Sequence, residues 1–215
     1  MSQDLVEEYI QAGNADALKD LLDSNPALVT KPTSQQVSPL MLACYYKKPA
    51  VVKVILGFVK DPDLHEASAS GKFDSVANHI YKNPGQINAY SQDGFTPLGL
   101  ACYFGHEDIA RYLLLKGAEV NIASRNGFNV YPIHSAVASN NDVITKILLE
   151  AGAEVNVTQQ SGATPLHSAA HNGNIEILIL LLEAGASTDI RMEGGKLASD
   201  MAAAKGFTEI ANILS

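Results

Sequence analysis

The chain has 215 residues, of which 47% are hydrophobic and 18% charged, and its formal net charge is −8. Binding to nucleic acid or to an anionic membrane needs a basic surface, so this acidity argues against both. No apolar run reaches the ~20 residues that span a bilayer. The acidic N-terminus lacks the basic-then-apolar order of a signal peptide. We therefore expect a globular cytoplasmic protein.

The N-terminal third contains three stretches with apolar residues at helical spacing. In the first, Val6 to Leu22, the apolar residues flank Gly13. In the second, residues 38–56, a helix is expected to begin at Pro39. The third covers residues 64–81. Leu64 follows Leu40 by only 24 residues, so we expect a shortened connection with a tight link at residues 61–63.

The clearest two-helix pattern is the stretch from Asp93 to Asn121. Thr96 is a suitable N-cap for a helix that begins at Pro97, because proline lacks only an N–H that the first turn leaves unused. Gly105 is expected to end this helix, and Gly117 to end a second one. Two such short helices are unstable alone, so the pair must stack on others.

The pattern recurs at a nearly constant period. Prolines at the helix start and glycines at the helix end are both spaced 35 and 33 residues apart: Pro97, Pro132 and Pro165; Gly117, Gly152 and Gly185. Each proline precedes its glycine by 20 residues. The two extra residues therefore lie in the connection before Pro132, and a period of this length indicates a repeat protein.

The units open with TPLGLA, YPIHSA and TPLHSA and close with GAEVN, GAEVN and GASTD. With this period, they resemble the ankyrin repeat family. The resemblance implies an all-α solenoid of stacked helix-turn-helix units, linked by short β-turn or hairpin fingers. We expect one domain of about seven units, with polar caps at both ends: residues 4–29, 35–58, 61–88, 91–121, 124–156, 159–189 and 193–215.

The resemblance also implies roles for the histidines. His134 and His167 occupy the family's TPLH position, where the imidazole bonds within and between neighbouring turns. We align His65 with them and expect a structural role for His106 at an inter-helix turn. Gly99 and Asp200 replace the histidine in two other units. No histidine pair has the spacing of metal ligands, so we expect neither a metal nor a cofactor.

Cys44 and Cys102 occupy equivalent sites two units apart, about two interhelix spacings of 8–10 Å each. A disulfide needs Cα atoms within ~7 Å, so we expect two core thiols. Without a nucleophile–base arrangement or a phosphate loop, the chain is not expected to be an enzyme. Asn121 and Asn156 have two readings: turn residues that bond their own backbone, or positions that can be hydroxylated in the family.

In ankyrin repeat proteins the finger tips and the last turn of each first helix face the hollow of the stack and contact a partner protein. The equivalent residues here are Tyr45, Tyr46, Gln92, Asp93, Phe95, Tyr103, Phe104, Arg125, Phe128, Val130, His171 and Asn172. Exposed aromatics are effective interface anchors. Alternatively, Phe95 and one residue of each aromatic pair pack on neighbouring turns. Lys47, Lys48 and Lys53 are solvated, or they favour an acidic partner.

These features predict a monomer that binds another protein through its concave face, as a scaffold or regulator without catalysis. Two alternatives remain open: an enzyme with an unrecognised site in the groove, and a self-associating structural protein.

Overall fold

The computed structural model describes residues 2–215, which form fourteen α-helices, three short 3-10 helices and no β-strand. The α-helices are between six and eleven residues long, so they depend on packing for stability. The chain divides into two compact units, one up to Pro84 and one from Gly85 to Ser215. The predicted all-α fold of seven helix pairs is confirmed.

The first unit contains three helix pairs. These are α1 (Ser2–Ala12) with α2 (Ala15–Ser24), α3 (Pro39–Tyr45) with α4 (Pro49–Phe58), and α5 (Leu64–Ser70) with α6 (Phe73–Lys82). A 3-10 helix, Pro26–Thr30, follows α2. The first helices pack in a row, α1 on α3 and α3 on α5, and α2 packs on α4. Each pair therefore buries its apolar side against the next.

The second unit contains four pairs. These are α7 (Pro97–Phe104) with α8 (Glu107–Leu115), α9 (Pro132–Ala138) with α10 (Asp142–Glu150), α11 (Pro165–Asn172) with α12 (Ile175–Glu183), and α13 (Ala198–Ala204) with α14 (Thr208–Ile213). The first helices α7, α9, α11 and α13 pack in one row, and α8, α10 and α12 pack in a second row. The remaining 3-10 helices are Pro84–Gln86 and Glu193–Gly195.

The helix ends form as the sequence predicts. The Thr96 hydroxyl accepts a hydrogen bond from the Gly99 N–H at 3.1 Å, and α7 begins at Pro97. Gly105 ends this helix with a φ of +80°, a left-handed conformation that costs glycine little. Leu100 and Leu113 face the core and are almost fully buried. Burying such a side chain contributes roughly 1.5–3 kcal/mol, which offsets the weak intrinsic stability of the short helices.

The shortened connection in the first unit joins α4 directly to α5. Residues 59–63 form this link, so the predicted shortening of the connection is confirmed. Asp63 caps α5 by accepting the His65 and Glu66 N–H groups, both at 2.8 Å. His79 Nε2 holds the link at 2.9 Å from the Pro62 carbonyl oxygen.

The alignment of His65 with the TPLH histidines is wrong. His65 is the second residue of α5, whereas the histidine position is the third and is occupied by Glu66. The Glu66 carboxylate accepts the Asp63 N–H at 2.9 Å, as the histidines do for their own N-caps. Leu64 therefore matches Pro39 rather than Leu40, and the connection is one residue longer than predicted.

Among residues 2–215, no helix combines the length and the apolar character needed to cross a membrane.

Candidate functional site

The fingers of the second unit share one backbone closure. In three of them, the N–H of the first residue donates to the carbonyl of the residue four positions later: Ser91 to Phe95 at 2.9 Å, Gln159 to Ala163 at 3.0 Å, and Met192 to Lys196 at 3.0 Å. In the long finger, Ser124 donates to Val130 at 2.9 Å. The hydrogen bond that closes the long finger thus spans two more residues. This confirms that the two extra residues lie in the connection before Pro132.

Successive fingers are also tied to one another by their backbones. The Arg125 N–H donates to the Gly94 carbonyl at 2.8 Å, and the Gln160 N–H donates to the Phe128 carbonyl at 3.0 Å. At Gly94, φ is +83° and an added Cβ would lie 2.8 Å from the Asn126 backbone nitrogen. Only glycine allows this approach, so the DG turn sets the spacing between two fingers.

Two histidines connect the first helices to the fingers. His134 Nδ1 accepts the Tyr131 N–H at 3.3 Å, and its Nε2 donates to the Ala163 carbonyl at 3.3 Å. His167 repeats this with the Thr164 N–H at 3.2 Å and the Lys196 carbonyl at 3.2 Å. Burial lowers the pKa of His134 to about 4 and also lowers the pKa of His167. The structural role predicted for these two histidines is confirmed.

In the units without this histidine, other groups form the hydrogen bonds at the start of the first helix. Asp200 accepts the Leu197 N–H at 2.8 Å, which replaces the bond to the N-cap. Gly99 offers no side chain, and the Thr96 hydroxyl alone caps that helix. His106 lies at the turn before α8, as predicted.

The expectation that Asn121 and Asn156 bond their own backbone is wrong. Asn121 Oδ1 accepts the Glu154 N–H at 2.9 Å, and its amide donates to the Gly152 carbonyl at 3.1 Å. Asn156 makes the same pair of bonds to Ser187 and Gly185. Each amide therefore clamps one repeat to the end of the next repeat's second helix.

The finger residues predicted to contact a partner differ in their environment. Gln92 is exposed, Phe95 is half-buried, and the Asp93 carboxylate bonds the Ser91 hydroxyl within the same turn. The Arg125 guanidinium stacks on the Tyr90 ring, 4.1 Å from its centroid. Tyr90 was not predicted, although it precedes Arg125 by one repeat length of 35 residues, and this periodicity is a signal that points to it.

Two more finger residues complete that set, both in the long finger. Among the predicted contact residues with an exposed hydrophobic side chain, Phe128 is the most exposed, at 61%. Val130 is half-buried. Its N–H donates to the Ser124 hydroxyl at 3.0 Å and helps to close the finger. The long finger therefore presents an aromatic ring on a fixed base.

The residues predicted at the helix ends are partly used in packing. Tyr103 and Phe104 are half-buried and contact edge to face, with ring centroids 5.0 Å apart. His171 is exposed, and the Asn172 amide donates to the Val137 carbonyl at 3.2 Å. In the first unit, Tyr45 is half-buried and Tyr46 is exposed. The partner-contact role of all twelve residues stays a prediction.

Both cysteine side chains are inaccessible. Cys44 and Cys102 are free thiols, and both are buried. Burial raises the pKa of Cys44 to about 12 and raises that of Cys102 as well, so both thiols are protonated near neutral pH. In the part of the chain that the structure describes, no three His, Cys, Asp or Glu side chains gather as a metal site would require.

Helix pairs that stack in rows, with fingers tied to the next repeat, define a solenoid-type repeat protein. The chain belongs to the ankyrin repeat family. The family model described as "Ankyrin repeats (3 copies)" matches residues 64–159 and 133–215, which together cover more than half of the chain. The family indicates a protein-interaction module, because ankyrin repeat proteins generally bind other proteins.

Several proteins resemble the chain over part of its length. Alpha-latrocrustotoxin-Lt1a of Latrodectus tredecimguttatus is 29% identical over 56% of the chain and 9% of its own length. Ankyrin repeat and SAM domain-containing protein 6 of Rattus norvegicus is 35% identical over 58% of the chain and 11% of its own length. Protein phosphatase 1 regulatory subunit 27 of Mus musculus is 41% identical over 30% of the chain and 41% of its own length. The similarity thus covers less than half of each relative.

Proposed function

We propose that the chain binds a partner protein through the finger tips and first-helix ends of its repeats, as a scaffold or regulator without catalysis. The family supports the mode of action, and the name of one relative, a phosphatase regulatory subunit, is in keeping with it. We place the protein in the cytoplasm, because two reduced cysteines suit a reducing compartment. Cell fractionation against a cytoplasmic marker protein tests this location.

The observation that carries the proposal is the rigid presentation of Phe128. Its N–H donates to Asn126 Oδ1 at 3.2 Å, and its carbonyl accepts from Gln160 at 3.0 Å. Asn126 Oδ1 is itself held by the Ser124 hydroxyl at 2.7 Å. The backbone is therefore fixed on both sides of a ring that is 61% exposed. A preorganised aromatic loses little entropy on binding and can bury a large area.

The tips around Phe128 suit a partner surface with mixed polarity. Gln92 is exposed on the preceding finger and Arg125 on the long finger itself, where the stacking of Arg125 on Tyr90 fixes its direction. Apolar anchors surrounded by polar groups are typical of protein interfaces. The half-buried Tyr103 and Phe104 lie at the end of α7, the helix that follows the finger of Gln92.

A single substitution tests the proposal. Replacing Phe128→Glu places a charge where the partner would bury a ring, so proteins captured from the native cell extract by the wild type should be lost. Stability should hardly change, because the side chain is largely exposed. Quantitative mass spectrometry of the captured proteins and a thermal melt measure the two effects.

The matched control is Tyr81→Glu, which charges an aromatic that is 85% exposed on α6 of the first unit. This variant should retain the captured proteins. Equal capture by the wild type and Phe128→Glu would show that the long finger is not the binding surface.

A further inference from the structure

The second row of helices in the second unit has an unusual surface. In α12, seven of nine residues are apolar. Ile177, Leu178 and Leu181 face the core, yet Ile175 is 47% exposed and Ile179 is 50% exposed. Exposed apolar side chains grouped on one side of a helix mark a contact surface, and the exposed Glu176 and Glu183 border them here. The outward side of α12 is therefore suited to a second, covering surface.

The three neighbouring helices α8, α10 and α12 carry a regular pattern on this side. The first and fifth residues of each helix lie four positions apart and share one side of the helix. These pairs are Glu107 and Arg111 in α8, Asp142 and Lys146 in α10, and Ile175 and Ile179 in α12. The first residues make one line across the helices, and the fifth residues make another. One line is acidic at two positions, the other is basic at two, and both end on isoleucine.

The charges in this pattern are not used within the chain. Among the described residues, no ion pair joins Glu107 to Arg111 or Asp142 to Lys146. The helices also enclose an open groove of about 680 Å³. Arg111, Lys146 and Glu176 line it together with the apolar Ile179 and Leu180. The face therefore offers space, apolar area and unpaired charge together.

We propose that this face binds the same face of a second copy of the chain. The two-fold axis would cross the three helices midway between the two lines and make the paired helices antiparallel. This operation exchanges the lines, so Asp142 faces Lys146 of the partner subunit and Ile175 faces Ile179 of the partner subunit. Glu107 then faces Arg111 of the partner subunit.

Charge complementarity selects a second copy as the occupant. An isologous contact sets a patch against itself, so a patch of one sign would repel its copy. Here the two-fold axis brings acid against base at two helices and apolar against apolar at the third. The exposed Glu150, Glu176 and Glu183 border these pairs. The net charge of −8 opposes association at long range, and salt screens this repulsion. The proposal replaces the sequence-based expectation of a monomer.

The direct test is the molar mass of the full chain as a function of concentration. Sedimentation velocity at about 0.15 M salt, from about 1 μM to about 1 mM, should show a mass that rises from one copy towards two. A monomer at every concentration would overturn the proposal and leave the face to a different partner.

Charge reversal identifies the face. Lys146→Glu should weaken dimerisation at least about tenfold, because it sets Glu against Asp142 of the partner subunit twice per dimer. Asp142→Lys combined with Lys146→Glu should restore it, since the swapped pair is still complementary across the axis. Ile179→Glu should weaken the dimer as Lys146→Glu does.

The matched control is Lys53→Glu, the same substitution at an exposed position on α4 of the first unit. It should leave the dimer unchanged, and circular dichroism should show that all variants fold. A dimer that survives both Lys146→Glu and Ile179→Glu would refute this interface. If the double variant Asp142→Lys with Lys146→Glu dimerises no more tightly than Lys146→Glu alone, the two-fold pairing is refuted.

Discussion

His134 and His167 can hold their bonds only as neutral imidazoles. In each ring Nδ1 accepts a backbone N–H while Nε2 donates to a carbonyl of the next finger. Protonation would place a second N–H against the donor at Nδ1. Both side chains are also buried, where a charge is costly. The protonation state of two residues is thus coupled to the contact between repeats.

This coupling predicts a pH dependence. The pKa of His134 is about 4 when folded, below its usual 6.5, so the unfolded chain binds more protons between these values. The free energy of unfolding should therefore be fully retained above pH 6.5 and fall as the pH drops towards 4, by up to about 1.4 kcal/mol per pH unit and histidine. Urea unfolding between pH 6.5 and 5 measures the slope.

His134→Gln supplies the control for this slope. Glutamine does not titrate in the range, so the variant should be less stable at pH 7 but lose less stability on acidification. A slope that is the same in the variant would assign the pH dependence to other groups.

The sequence pattern predicted part of the hydrogen-bond network between repeats and missed the rest for physical reasons. The resemblance to the family's TPLH position identifies His134 and His167, whose partners at the N-cap are only three residues away. The same reasoning misplaced His65, because the short link moves the start of α5 by one residue. The partners of Asn121 lie more than 30 residues away, so no local pattern contains them. The exposure of Phe128 likewise depends on how the fingers stack.

At the scale of the helix and the turn, repeats are joined at two places. The fingers are joined by backbone bonds such as that from Arg125 to Gly94, and the second helices are joined at their ends by the amides of Asn121 and Asn156. The helix starts and the period could be predicted, because proline, threonine and glycine act locally. The hydrogen bonds between repeats could not be predicted, since their geometry arises only when neighbouring repeats meet.

The asparagine clamp can be tested by its removal. Asn121→Ala loses the bonds to Gly152 and Glu154 and leaves two backbone groups without this partner. The cost should be about 1–2 kcal/mol, because both bonds are partly solvent-exposed. Urea unfolding monitored by circular dichroism measures the change.

Asn78→Ala is the matched control, since Asn78 is exposed within α6 and alanine favours a helix there. It should be neutral or slightly stabilising. An Asn121→Ala variant as stable as Asn78→Ala would show that the clamp contributes nothing.

At the scale of the whole molecule, each compact unit contains one cysteine in a first helix. Cys44 lies in α3 of the first unit and Cys102 in α7 of the second, and they are 5% and 0% exposed. Each thiol is therefore a reporter of its own unit. The single domain expected from the sequence stays a prediction beside this division into two units.

The thiols predict a chemical protection experiment. In the native protein neither should react quickly with an aromatic disulfide reagent, because burial excludes the reagent and raises the pKa of both thiols. In concentrated urea both should react at once. Absorbance of the released thiolate counts the reactive groups, and Cys44→Ser and Cys102→Ser assign them. A thiol that reacts at once without urea would contradict the burial of that unit's core.

Within each compact unit, a helix pair packs mainly on the next pair, and this has a consequence for how the unit folds. Within each unit, the main helix contacts join elements within one repeat length of each other. Loop closure is then inexpensive at every step, and folding is expected to be fast and to spread from whichever pair forms first. During synthesis, each new pair after the first of its unit meets a neighbour that has already emerged from the ribosome. The order of translation is thus also a productive order of assembly.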